Sequence, residues 1–196
     1  MQTTDQATLV ATPDALTERL FEAVVAAFDV FAVYIGDKLG FYRALEEGGP
    51  ATSDELARRT GTAERYVREW LEQQAVTGIL TCDETAAAAH ARRYRMPEGY
   101  GAVLVDPDSL SAMAPLAQVF VGCVKPLPQL LEAFRTGGGV PYEDYGTDLH
   151  EGQAGTTRPQ FRHLLAQEWI PVMPDIHARL QASPPAHVAD IGMGLG

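Results

Sequence analysis

The chain has 196 residues, 46% of them hydrophobic, and a formal net charge of -11. That length and apolar content suit one large or two small packed domains, while so acidic a balance disfavours a surface built chiefly to hold nucleic acid and leaves only a local basic patch as a route to it. Cys82 and Cys123 lie far apart, no secretion signal opens the chain, and the greasiest run, 23–35, contains Asp29 and is shorter than the roughly 20 residues a bilayer needs; two reduced thiols in a cytoplasmic protein, with no membrane contact, are expected.

Residues 1–12 are polar and threonine-rich, as in a mobile tail. Thr12 as N-cap and Pro13 at the first helical position then start a helix carried to about Asp37. Leu16, Leu20, Val24, Phe28, Phe31 and Ile35 recur every three or four residues, with Phe21, Val25 and Ala32 as a second stripe beside them. One stripe faces its own domain; the other requires either burial within the chain or a partner, most simply the same helix of a second subunit.

Phe41 to Leu45 reads as a brief second helix closed by Gly48, Gly49 and Pro50. Thr52 and Glu55 form a capping-box signature for a helix over 53–59. Thr62 is expected to cap another over 63–77, with Val67, Leu71 and Ala75 on one face, Tyr66 and Trp70 alongside, and Gly78 ending it. Short strand candidates follow at 79–82 and 93–96, separated by an alanine-rich loop. Helix, turn, helix and a two-stranded ribbon make a winged helix. Its charge argues against reading DNA: between Pro50 and Met96 seven arginines face seven acids, and the second helix sets Arg65 and Arg68 among Glu64, Glu69 and Glu72. Arg92, Arg93 and Arg95 on the wing keep a DNA-binding transcription regulator as the alternative function.

Asp106 to Ser109 is expected to cap a helix over 110–124, with Leu116, Val119, Phe120 and Cys123 on one face. Pro126 and Pro128 break it before it resumes over 129–135. A loop over 137–146 holds three consecutive glycines and two tyrosines, a composition that suits either a lid or a linker with aromatic anchors. Thr157 is expected to cap a long helix through Phe161 and Trp169, kinked at Pro171 and Pro174 and ended by Ser183, Pro184 and Pro185. No His-x-x-x-His pair or Cys-x-x-Cys unit suggests a metal, and neither a nucleophile elbow nor a phosphate-binding lysine loop is present.

The last stretch, His187 to Gly196, reads as a buried parallel strand running into a glycine turn. The glycines permit a tight bend and a close backbone approach by a ligand. A carboxylate at Asp190 would repel a pyrophosphate but suits a ligand with an ammonium and a sulfonium, which points to S-adenosylmethionine. Asp190-Ile191-Gly192-Met193-Gly194-Leu195-Gly196 resembles the first motif of class I S-adenosylmethionine-dependent methyltransferases, Asp-x-Gly-x-Gly-x-Gly, and from about Leu16 onward the chain resembles the front part of bacterial members that carry an N-terminal winged helix.

The resemblance implies a mainly α fold in four parts: a tail at 1–12, a winged-helix dimerisation domain at 13–97, a helical linker and substrate cover at 98–185, and from 186 the first strand of a truncated Rossmann-like domain. It implies a methyltransferase acting on a small molecule, a homodimer formed through the helix that starts at Pro13, and Asp190, Gly192, Gly194 and Gly196 as cofactor-binding residues. Phe120, Tyr142, Tyr145 and Trp169 are candidates for a substrate wall on aromatic character and position, and no catalytic base is named. A complete cofactor domain needs about 150 more residues, so a chain of this length is expected to bind the methyl donor weakly or not at all and to lack turnover.

Overall fold

The computed structural model describes residues 12–83, 85 and 87–195; the tail and Gly196 lie outside these. Helix α1 spans Pro13–Lys38, and Thr12 caps it by accepting a hydrogen bond from the Ala15 amide at 3.2 Å. Helix α2, Phe41–Gly48, follows a left-handed turn at Gly40. Helix α3, Ser53–Thr60, has both halves of the capping box: the Glu55 amide donates to the Thr52 hydroxyl at 3.3 Å and the Thr52 amide to the Glu55 carboxylate at 3.0 Å. The same carboxylate pairs with Arg93 at 2.9 Å, so the start of α3 is tied to the wing.

Helix α4, Glu64–Val76, begins one residue later than expected, with Ala63 at the cap position. The Thr62 hydroxyl bonds to the Thr60 hydroxyl instead, at 2.9 Å, and so does not reach the helix amides. The ribbon is shorter than the sequence suggests. β1, Thr81–Cys82, pairs antiparallel with β2, Tyr94–Arg95, with Cys82 opposite Tyr94, and Ala51 bridges to the other edge of Tyr94 through hydrogen bonds of 2.9 and 2.8 Å.

The core of this winged helix is built on Trp70. Phe41 and Tyr42 lie against it at ring-centroid distances of 4.8 and 5.2 Å, and Leu45, Leu56, Val67, Leu71, Leu80 and Tyr94 complete a buried cluster. Aromatic contacts of this kind add to the hydrophobic gain from burial. The Trp70 indole donates to the Ala32 carbonyl at 2.8 Å, which fixes the second half of α1 on α4. That approach requires Gly36: a Cβ there would overlap Trp70 and sit 2.6 Å from the Tyr42 ring.

After a one-turn helix α5, Gly101–Leu104, the structure departs from the sequence reading. Helix α6 covers Ala114–Val124 rather than starting near Leu110. The acids meant to cap it are used elsewhere: Asp106 accepts from the Asp108 amide at 2.9 Å, and Asp108 pairs with Arg158 at 2.7 Å. Helix α7, Leu127–Thr136, follows directly and ends at Gly137. A 3-10 turn, Tyr142–Tyr145, then leads into α8, Gly146–His163, which starts eleven residues before the expected cap at Thr157.

Thr157 sits inside α8, its hydroxyl donating to the carbonyls of Gln153 and Ala154. The stretch between the expected loop, 137–146, and Thr157 is helical, and its glycines at 152 and 155 are packing residues. A Cβ at Gly152 would lie 2.7 Å from the Val119 amide nitrogen and 2.9 Å from the Pro115 carbonyl oxygen, and one at Gly122 would meet the Leu149 backbone. Helices α6 and α8 therefore pack backbone to backbone, a gain that offsets the low helix propensity of glycine, about 1 kcal/mol each. A π-helical turn, Leu165–Trp169, and helix α9, Pro174–Gln181, complete the described elements.

Candidate functional site

Two of the three glycines among the proposed cofactor residues fall within the description, and both Gly192 and Gly194 take left-handed backbone angles, φ 79° and 64°. Glycine adopts these without a Cβ penalty, so the bend is real. The expected buried strand before it is not formed. Residues 187–191 have no regular secondary structure, and Ile191 is 93% exposed. A parallel strand is stable only when its amides and carbonyls pair with neighbours, and the one sheet among the described residues is the wing. A Cβ on Gly192 or Gly194 would meet nothing within 4 Å, so no cradle surrounds the turn, and Asp190 is exposed beside it. These residues do not by themselves fit a cofactor, and no chemical step is assigned to them; Gly196 lies outside the description.

The four aromatic candidates do not converge. Phe120 on α6 packs edge-on against Phe31 of α1 at 5.5 Å. Tyr142 stacks on His150 at 4.3 Å, while Tyr145 is half-buried where the 3-10 turn enters α8. Trp169 meets Phe161 edge-on at 5.9 Å. Phe120, Tyr142 and Trp169 each have a separate partner, and none of the four lines the clefts beside the end of α1. The loop over 137–146 is half folded into the 3-10 turn rather than hanging free as a lid.

The winged helix offers little to a phosphate backbone. Arg58, Arg65 and Arg68 pair with Asp54, Glu69 and Glu64 one helical turn away. Arg92 pairs with Glu72 at 3.3 Å, Arg93 with Glu55 at 2.9 Å and Arg95 with Asp83 at 3.1 Å. Arg59 donates instead to the carbonyls of Ala44 and Gly49. Counterion release needs arginines free to neutralise phosphates, and six of these seven are already matched by carboxylates.

Sequence reasoning missed a polar knot that joins α1, α6 and α8. Asp148 accepts from the Tyr34 hydroxyl at 3.2 Å, from Lys38 at 3.2 Å and from the Gln118 amide at 3.3 Å, and Gln118 also donates to Glu151 at 2.9 Å. Burial works against the Asp148 charge, but the donors from Lys38, Tyr34 and Gln118 outweigh it and hold the carboxyl below its ordinary range. The signal in the sequence was slight: Tyr34 and Lys38 stand one helical turn apart near the end of α1.

An acid whose pKa is lower in the folded state stabilises the fold above its unfolded pKa, and that contribution is lost as pH falls through the folded value. Asp148→Asn is therefore expected to melt at a lower temperature than the parent at neutral pH. The gap should close as pH drops below about 4, the ordinary aspartate range. A series of thermal melts checks this, and a gap that stays constant into acid would mean that the knot is not held by charge.

At the other end of α1 the apolar residues are uncovered. Leu16, Leu20, Phe21, Val24 and Phe28 are each more than half exposed, with Phe28 at 66%. Exposed apolar surface that recurs along one helix marks an interaction face.

Residues 27–105 match the family model described as the Rv2258c-like winged HTH domain. Among solved structures, the mitomycin 7-O-methyltransferase MmcR shares the fold with a TM-score of 0.55 at 22% identity, over 76% of this chain and 45% of that one. N,N-8-amino-8-demethyl-D-riboflavin dimethyltransferase, RosA, from Streptomyces davawensis matches with a TM-score of 0.55 at 19% identity, over 81% and 48% of the two chains. Human N-acetylserotonin methyltransferase, solved with S-adenosylmethionine, matches with a TM-score of 0.54 at 18% identity, over 81% and 47%. No curated protein matches the sequence. The chain spans about half the length of the solved structures it matches. At these identities the likeness is one of fold: the chain is mainly helical with a winged helix-turn-helix, its residues 27–105 are similar to the Rv2258c-like model, and its fold is shared with part of these methyltransferases.

Proposed function

We propose that this chain is the winged-helix and connecting portion of an S-adenosylmethionine-dependent methyltransferase acting on a small molecule in the cytoplasm. The observation that carries the reading is the extent of the fold match: it covers about four fifths of this chain, well beyond the winged helix, in three enzymes that are all methyltransferases. The Asp190 to Gly196 motif supports it from the sequence side. In this reading Asp190, Gly192, Gly194 and Gly196 approach the methyl donor only when further parallel strands flank them, and Phe120, Tyr142, Tyr145 and Trp169 contribute to a substrate cover. The uncovered half of α1 pairs with its counterpart in a homodimer.

The 196-residue chain alone is expected to show no micromolar binding of S-adenosylmethionine by calorimetry and no methyl transfer. The same titration on a chain extended by a complete parallel-sheet domain is expected to give saturable binding. Failure of the extended chain to bind overturns the assignment, and tight binding by the short one overturns the expectation that the glycine turn needs flanking strands. The winged helix also fits a transcription regulator, which the matched arginines disfavour. A mobility shift of random duplex at low salt by micromolar protein would favour that rival.

A further inference from the structure

The C-terminal end of α1 borders an open cleft of about 190 Å³, somewhat more than the roughly 150 Å³ of an apolar cavity that admits a benzene ring. Asp37 and Arg43 stand on one side; Leu104, Val105, Ala112 and Pro115 line the other. The lining is mostly apolar, and what stands out in it is the Asp37 carboxyl. Among the described residues it has no hydrogen-bond donor and no ion-pair partner, although it is half-buried.

The neighbours that might satisfy it are engaged elsewhere. Lys38 reaches Asp148 at 3.2 Å and Glu151 at 3.5 Å. The Tyr42 hydroxyl donates to the Gln74 side chain. Arg43 is exposed at the mouth, within electrostatic range of Asp37 but making no ion pair among the described residues. Burial accordingly raises the Asp37 pKa, against the weaker opposing pull of Lys38 and Arg43. Asp106 adds a second carboxylate at the rim.

A half-buried carboxylate without a donor has given up part of its hydration, and in a cleft such a group marks a candidate ligand site. We propose that this cleft binds a small organic cation, an ammonium group carried on an apolar body, with the Asp37 carboxylate accepting from the ammonium and Leu104, Val105 and Pro115 packing against the body. The site is separate from the glycine turn and does not depend on the methyltransferase reading.

Amide correlation spectra of the isotope-labelled full chain, titrated with phenethylamine, test the proposal. Phenethyl alcohol and hydrocinnamate serve as probes with the same ring and no positive charge. Saturable shifts confined to residues 36–43 and 103–115 are expected with the amine alone. Asp37→Asn should weaken that response by roughly tenfold or more, the effect of losing one charge-assisted hydrogen bond. Ala112→Phe, which fills the cleft and leaves the carboxylate, should weaken it as well. Because the native carboxylate is unsatisfied, Asp37→Asn is expected to keep or raise the melting temperature, which separates lost binding from lost fold. Equal response to the alcohol, unchanged binding in Asp37→Asn, or shifts elsewhere in the chain would overturn the proposal.

Discussion

Phe28→Asp is expected to convert the proposed homodimer into a monomer. Phe28 is 66% exposed and its one aromatic neighbour is Phe31, edge-on at 6.4 Å, so the substitution removes little from the chain's own packing. In the proposed dimer the same ring lies within a stripe with Leu20, Phe21 and Val24 that a second α1 covers. A buried aromatic anchor contributes about 2 kcal/mol or more to an interface, and burying an unpaired carboxylate there adds to the loss. The dimer dissociation constant should therefore rise by at least about thirtyfold, at a conversion of 1.4 kcal/mol for each factor of ten. Sedimentation equilibrium reads the mass directly, and unchanged helical content and melting of the monomer confirm that the fold persists. A parent chain that is already monomeric, or a variant that stays dimeric, would remove α1 as the interface.

The second large effect is expected at Gly36. Its Cα lies where α1 crosses Trp70 and Tyr42, and a valine there would drive its branches into both rings. Overpacking of this kind destabilises by about 1–3 kcal/mol, occasionally more. Here relief requires α1 to lift, which also strains the Trp70 to Ala32 hydrogen bond of 2.8 Å and the Tyr42 to Gln74 contact. Gly36→Val is thus placed at the upper end, about 3 kcal/mol, measured by denaturant unfolding followed through tryptophan fluorescence. Gly139→Ala is the matched control, because a Cβ at that position meets nothing within 4 Å. Equal stability of the two variants would show that α1 is not seated on Trp70 as described.

The parts legible in the sequence are those whose physics is local. Thr12 and Pro13, Thr52 with Glu55, and the three-and-four spacing of Val67, Trp70 and Leu71 announced α1, α3 and α4 because caps and helical stripes are set by residues within one or two turns of each other. The winged helix followed from their order, and the charge balance of its arginines and acids was a matter of counting. The start of α8 was not legible, since Gly152 and Gly155 are poor helix formers whose place in the helix is explained only when α6 is laid against them. The start of α6 was missed for a related reason: Asp108 is drawn to Arg158, fifty residues away, rather than to the amides next to it.

The candidate sites divide in the same way. The sequence by itself determined that residues 190–196 carry a glycine turn behind an acid, and Gly192 and Gly194 do adopt the angles that only glycine takes freely. It could not place that turn in a crevice, because a parallel strand acquires its burial from neighbouring strands and none flanks it among the described residues. Tertiary structure alone decided that Phe120, Tyr142 and Trp169 pack on separate partners, that Asp148 gathers donors from two other helices, and that Asp37 is left without one. Caps, turns and stripes depend on separation along the chain, whereas burial and the partners of a charge depend on separation in space.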